Sequence, residues 1–301
     1  MQGELTFLGT GTSMGVPTLG CRCAVCTSAD PRDRRLRPSL LLRWQESVAF
    51  PPLRQESGAR MGHGESVPDF PTDQDGQSKR QRVVVIDTGP DFREQALRAG
   101  LTRVDAVFYT HGHADHVLGM DDLRPLSFVV NRESGPIPLY ASEEAAEVLN
   151  RVYDYTFSPD ATYPNRARVA LHPLTARTTV HGVEFLRVPV RHGEMEIAGF
   201  RIGSVAYLTD VSAIPEESFA LLEGLDHVIL SALRHKPHPT HSTLAQALEY
   251  SRRIGARHTW FTHIAHELGH EETNRALPEN VRLAYDGLSL TVDLTPALPS
   301  S

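Results

Sequence analysis

At 301 residues, with 40% apolar and 22% charged residues, the chain fits one large globular domain or two small ones and belongs to no special compositional class. A formal net charge of −7 argues against a nucleic-acid binder, whose surface is usually basic. No apolar run is long enough to span a bilayer, residues 1–5 do not open a signal peptide, and the three cysteines all lie between Cys21 and Cys26, so the expectation is a cytoplasmic protein with no membrane contact and no disulfide framework.

Leu5-Thr6-Phe7-Leu8 reads as a first strand, followed by the hydroxyl-rich turn Gly9-Thr10-Gly11-Thr12-Ser13. Arg32, Arg34, Arg35 and Arg37 crowd one segment and read as a solvated charged turn, with a local basic patch as the alternative. Ser39 to Trp44 and Val83 to Ile86 are strands. Residues 45–80 between them, rich in Pro, Gly, Ser, Gln and charge, lack periodicity and read as a mobile excursion that includes His63. Asp91 to Ala99 reads as a helix, capped by Asp91 and stopped at Gly100. The short apolar run Val104 to Tyr109 is a buried strand, Ile137 to Tyr140 another, and Ser142 caps the helix after it. Residues 153–168 carry little pattern. Val183 to Val190, Phe200 to Leu208, Val228 to Leu230, Thr259 to Thr262 and Leu288 to Leu294 read as strands, Thr243 to Ile254 as a helix and 295–301 as an unstructured tail.

The most informative stretch is Thr110-His111-Gly112-His113-Ala114-Asp115-His116, directly after a buried strand. Neutral imidazole and carboxylate suit borderline divalent metals. Four ligand-type residues exceed what one three-ligand catalytic site requires, so His111 and His113 point to one ion and Asp115 and His116 to a second. His192, Asp210 and His263 each follow a strand downstream, and His241 lies in the loop 237–242.

The set His111-Gly112-His113-Ala114-Asp115-His116, with His192, Asp210 and His263 in that order, resembles the metallo-β-lactamase superfamily of hydrolases over nearly the whole chain. The resemblance implies an α/β fold, a four-layer αββα sandwich, as a single domain over 1–294. It implies two divalent ions, manganese or zinc: His111, His113 and His192 on one, Asp115, His116 and His263 on the other, and Asp210 bridging them. Such a pair holds hydroxide at neutral pH, because metal binding lowers the pKa of water to ~7. His241 is then the candidate general acid, with His235 and His238 as competitors, and Asp115 the second catalytic candidate. Arg124 is a candidate fork for a substrate phosphate, or else an ion pair with Asp121 or Asp122. Asp87, at a strand end, reads as the group that orients a metal-binding histidine through its other ring nitrogen.

Cys21-Arg22-Cys23-Ala24-Val25-Cys26 gives three thiols in a compact turn, the pattern of a structural zinc that lacks its fourth ligand. His266, three residues after His263, is the expected fourth, with His270 in reserve. Together, Gly9 to Pro17, the cysteine set and Thr262-His263-Ile264-Ala265-His266 resemble the PhnP-type phosphodiesterases. That resemblance implies a dinuclear site, a structural zinc on Cys21, Cys23, Cys26 and His266, a small phosphorylated substrate such as 5-phosphoribosyl 1,2-cyclic phosphate, and a homodimer. The alternatives are an RNA-processing nuclease of the tRNA 3′-end type, which would need a positive field, and a metal-binding sensor with a vestigial site.

Overall fold

The computed structural model describes residues 1–48, 78–160 and 162–296. Most of the excursion expected at 45–80, His63 included, and most of the expected tail lie outside the described residues. The flanks of the excursion are strand: β1 (Gln2–Gly9), β2 (Ser39–Val48), β3 (Ser78–Ile86), β4 (Ala106–Phe108), β5 (Ile137–Ala141) and β6 (Val169–Pro173) form one sheet. The second sheet takes β7 (Arg177–Val180), β8 (Val183–His192), β9 (Met195–Ile202), β10 (Val205–Leu208), β11 (His227–Ser231), β12 (His258–Thr262) and β13 (Val281–Leu283). The chain then returns to the first sheet, where β14 (Ser289–Asp293) pairs antiparallel with β1.

The two sheets pack face to face because alternate side chains are apolar on both faces. Leu40, Leu42, Val84, Ile86 and Phe108 point inward to meet Phe185, Phe200, Tyr207 and Ile229 of the second sheet. The intervening residues point outward, where helices cover them. The helices are α1 (Phe92–Arg98), α2 (Ala114–Val117), α3 (Arg124–Ser134), α4 (Glu143–Val152), α5 (Asp154–Phe157), α6 (Glu216–Phe219), α7 (Leu244–Ile254) and α8 (His270–Ala276). Phe92, Val130, Ala145 and Leu149, from α1, α3 and α4, bury against Leu41, Val83, Val85 and Val107. Leu244 and Ala247 of α7 bury against Val228, Leu230 and Phe261. The result is the expected four-layer αββα sandwich.

What positions the site is strand direction. β3 to β6 run parallel, as do β10 to β13. Their carboxyl ends therefore open at one edge, which is where α/β folds place ligands. Asp87, Asp210 and His263 each follow such a strand, and each adopts positive φ (63°, 57° and 54°). Non-glycine residues rarely do so, and the cost concentrates at functional sites.

Several local expectations change. Ser142 and Thr243 do cap their helices, Thr243 in a reciprocal capping box with Gln246. Asp91 precedes α1 but makes no cap bond, because its carboxylate is taken by Arg37 at 2.9 Å. Phe200 to Leu208 is two strands, since Gly203 (φ 55°) turns the chain between β9 and β10. The unpatterned 153–168 segment contains α5. The arginine cluster divides: Arg34 is exposed, Arg32 and Arg37 pair with Asp30 and Asp91 at 2.7 and 2.9 Å, and Arg35 alone is buried, held by Asp33 at 3.1 Å and by the carbonyls of Ala265 and Leu268.

Phe108 sits at the centre of the inter-sheet core, with ring centroids 4.2 Å from Phe185, 4.7 Å from Tyr140 and 5.4 Å from Phe200. Phe108→Ala is expected to cost about 3–5 kcal/mol, read from the urea midpoint of unfolding at constant slope. A loss below about 1 kcal/mol would show that the sheets close over the cavity.

Candidate metal centre

The His111–His116 loop is held in place by backbone and side-chain contacts that follow from its small residues. Gly89 touches the Asp115 carbonyl so closely that a Cβ there would lie 2.1 Å from the oxygen, so only glycine fits. The Thr88 amide donates to the His116 carbonyl at 2.8 Å. Thr110 donates its amide and hydroxyl to the two oxygens of Asp87, each at 2.8 Å. With its proton given to Asp87, the Thr110 hydroxyl oxygen accepts from His111 Nδ1 at 3.0 Å. His116 Nδ1 donates to Asp87 at 2.7 Å. His192 Nδ1 donates to the carbonyls of Asp210 and Thr240 at 2.9 and 2.8 Å. Each contact places the proton on Nδ1 and leaves Nε2 as a free lone pair, the tautomer in which a histidine can bind a metal through Nε2.

Those free nitrogens converge. His111 Nε2 lies 3.0 Å from His113 Nδ1, close to the ~3.3 Å expected between two nitrogens on one tetrahedral ion with 2.0–2.1 Å bonds. His111, His113 and His192 form one group of ligand atoms, and Asp115, His116, Asp210 and His263 form another, each within 4.8 Å of one another. Asp210 Oδ2 lies 3.2 Å from His116 Nε2, and Oδ1 lies 3.1 Å from His263 Nε2. Asp210 also groups with His192 and His241, so its carboxylate is common to both sides of the cluster.

The electrostatics call for cations. Burial opposes ionisation of Asp115 and Asp210, yet the adjacent His116 and His263 outweigh it and hold both carboxyls below the usual range. Burial likewise opposes a charge on His263, but Asp210 and Asp115 hold it up at about 9. His111 and His113 move the other way: burial and neighbouring imidazoles push both down, which leaves them neutral. The buried Nε2 atoms of His116 and His263 have no hydrogen-bond partner among the described residues. A carboxylate-rich cluster with orphaned imidazole nitrogens fits divalent ions, which would supply the positive charge that protons supply otherwise.

His241 lines this cluster. Its ring lies 4.7 Å from both His192 and His263 and 4.9 Å from His238, and its Nδ1 is 3.8 Å from Asp210 Oδ1. Burial, and then His263, push it down to about 3. Arg124 opens α3, and its polar partners among the described residues are Tyr163 (3.4 Å) and Asp121 (3.9 Å), not the cluster. The ion-pair reading of Arg124 therefore has direct support.

The cysteine turn folds as expected. His266 Nδ1 lies 3.2, 3.3 and 3.6 Å from the sulfurs of Cys21, Cys23 and Cys26. The amides of Thr18 and Cys26 donate to Cys26 and Cys23 sulfur at 3.3 and 3.4 Å. His270, the reserve ligand, is elsewhere: its ring packs edge-on to Tyr285, and its amide donates to Asp33. Sequence reasoning named Thr110 without a role; its place directly before His111 at a strand end was the available signal.

Compared with known proteins, residues 82–264 match the model of the beta-lactamase superfamily domain. A solved structure described as a new diphosphatase from the PhnP family is 48% identical, with a TM-score of 0.80 over 98% of both chains. An octanoyltransferase of Porphyromonas gingivalis is 32% identical over 95% of this chain and 51% of its own length. A coenzyme PQQ synthesis protein B of Methylobacterium nodulans is 32% identical over 50% of this chain and 42% of its own. The chain thus spans about half the length, or less, of these two curated relatives. No helix among the described residues is long and apolar enough to cross a membrane.

Burial, then Arg32 and Arg35, push His270 down to about 4 from an ordinary 6.5. The ring is neutral in the fold and charges first in the unfolded chain. Its stabilising contribution is therefore complete above pH ~6.5 and lost as pH falls through ~4. Between those limits, His270→Gln is expected to lose roughly 2 kcal/mol less stability than the wild type in urea unfolding. Parallel pH profiles would show that His270 titrates normally.

Proposed function

We propose a two-metal phosphodiesterase acting on a small cyclic phosphate: the chain belongs to the beta-lactamase superfamily and, within it, to the PhnP family, whose members are metal-dependent hydrolases. The observation that carries this reading is the convergence of two ligand groups on Asp210 with His241 at their edge. When bound, divalent cations activate water and neutralise phosphoryl oxygens. His111, His113 and His192 would hold one ion, and Asp115, His116 and His263 the other, with Asp210 between them. A diphosphatase in the PhnP family supports phosphorus over carbonyl carbon as the reacting centre.

The chain's own residues then divide the work. Asp87 and Thr110 fix the Nδ1 protons of His116 and His111, so the opposite nitrogens stay aimed inward. Asp115, ionised and buried, accepts a hydrogen bond from the attacking water. His241 is neutral while its surroundings hold only imidazoles and Asp210. A bound phosphoester brings negative charge beside the ring and raises its proton affinity. His241 then takes up a proton from solvent; as the oxygen of the attacking water bonds to phosphorus and its proton passes to solvent, His241 gives its proton to the leaving oxygen, and the P–O ester bond breaks with its electron pair on the oxygen of the departing alcohol. Cys21, Cys23, Cys26 and His266 would hold a separate structural zinc that fixes the loop carrying His263.

Manganese-loaded protein is expected to hydrolyse members of a panel containing 5-phosphoribosyl 1,2-cyclic phosphate and 2′,3′-cyclic nucleotides. His241→Ala is expected to keep its metal content and to lose about 10²–10⁴-fold in kcat. No cleavage of any cyclic phosphate would overturn the proposal, and an unaffected His241→Ala enzyme would remove the acid role.

A further inference from the structure

A second cavity, of about 360 Å³, lies where β13, the edge strand of the second sheet, meets α8 and the short turn Pro31–Asp33. It shares no residue with the two metal-ligand groups or with the cysteine set. Its charged lining is Arg32, Arg275 and Arg282 against a single carboxylate, Glu271. Trp260, Leu283 and Tyr285 supply aromatic and apolar surface. The volume lies in the range of small-molecule sites, about 300–1,000 Å³.

The three arginines are unequally matched. Arg32 donates to Asp30 at 2.7 Å and to Glu271 at 3.2 Å. Arg275 Nε stands 3.4 Å from the other oxygen of Glu271, so that carboxylate serves two guanidiniums. Arg282 faces no carboxylate among the described residues; its Nη1 donates to the carbonyls of Pro278 and Val281, each at 2.7 Å. Asp30 and Glu271 against three arginines leave one positive charge in excess. The two carbonyls hold the Arg282 guanidinium in place and leave its Nε and Nη2 donors for another acceptor. Arg275, with its side chain 75% exposed, likewise keeps both Nη groups uncommitted among the described residues. Guanidinium donors of this kind form a fork that matches phosphate oxygens.

An inorganic ion on these arginines would leave the aromatic part of the lining uncovered. Trp260 has given its indole N–H to His227 Nδ1 at 3.2 Å, so what it offers the cavity is ring surface. Tyr285 packs edge-on against His270, with ring centroids 5.7 Å apart. Flat rings gain about 1–3 kcal/mol from contact with such side chains. We infer that this cavity is a second ligand site, separate from the metal centre, and that it takes an organic phosphate monoester carrying a flat ring, of the nucleoside monophosphate class. The phosphate meets Arg282 and Arg275, and the ring lies against Trp260 and Tyr285. The site stands whatever substrate the metal centre accepts.

The chain has two tryptophans, Trp44 and Trp260, and only Trp260 lines the cavity, so its indole ¹H–¹⁵N resonance reports occupancy. Titration of the zinc-loaded protein with adenosine 5′-monophosphate is expected to shift the Trp260 signal saturably and to leave that of Trp44 in place. Arg282→Gln and, separately, Arg275→Gln are each expected to raise the dissociation constant about tenfold. Arg275→Gln removes an exposed side chain and is expected to keep the wild-type urea midpoint, which separates lost binding from lost folding. Adenosine and inorganic phosphate are each expected to bind at least about tenfold more weakly than the nucleotide. Absence of a saturable shift at Trp260 overturns the inference. So does an affinity unmoved by both arginine substitutions, which would place the nucleotide at the metal centre. Inorganic phosphate or adenosine binding as tightly as the nucleotide overturns the ligand class and the inference with it.

Discussion

Three carboxylates, Asp87, Asp115 and Asp210, are buried at one edge of the sandwich, and the rest of the site answers to them. A buried anion is costly unless it is paired and hydrogen-bonded. Asp87 is satisfied within the chain by Thr110 and His116. Asp210 accepts only the Thr209 hydroxyl at 2.8 Å, and both Asp115 and Asp210 otherwise face imidazole nitrogens that lack partners of their own. Asp87, Asp210 and His263 all adopt positive φ. Strain at three strand ends is the geometric condition for bringing these groups to one point.

The same constraint ties the catalytic edge to the cysteine turn. His263 and His266 lie on one loop, and that loop is pinned on both sides. The Ile264 amide donates to the Thr10 carbonyl at 2.9 Å, and buried Arg35 donates to the carbonyls of Ala265 and Leu268. Thr10 is fixed in turn by Asp286, which accepts its amide and hydroxyl at 2.9 and 2.7 Å. A shift of the cysteine turn would therefore move His263, and disorder in one centre would reach the other. Arg35, which the sequence placed in a solvated charged turn, is part of the frame of this loop.

Much of this was legible from residue types and order. Imidazoles and carboxylates just beyond short apolar strands announce a metal edge, because strand ends fix direction and the loop supplies convergence. Asp87 was readable for the same reason, as was His266 once three cysteines required a fourth ligand. Tertiary partners were not legible. Asp91 is a sound cap in isolation, yet Arg37, 54 residues earlier, takes its carboxylate. Arg124 allowed either a phosphate fork or an ion pair with Asp121 or Asp122, and Tyr163, 39 residues on, is a partner that neither reading named. A cavity lined by Glu144 and Glu196 joins the start of α4 to the β8–β9 turn, and no local pattern connects those two segments.

The account rests on three ligand groups, each proposed to hold one ion. Its most direct test is the number of divalent metal ions per chain, measured by elemental mass spectrometry on protein purified without chelators and supplied with manganese and zinc. A stoichiometry near three is the expected result. Two or fewer ions per chain would contradict it.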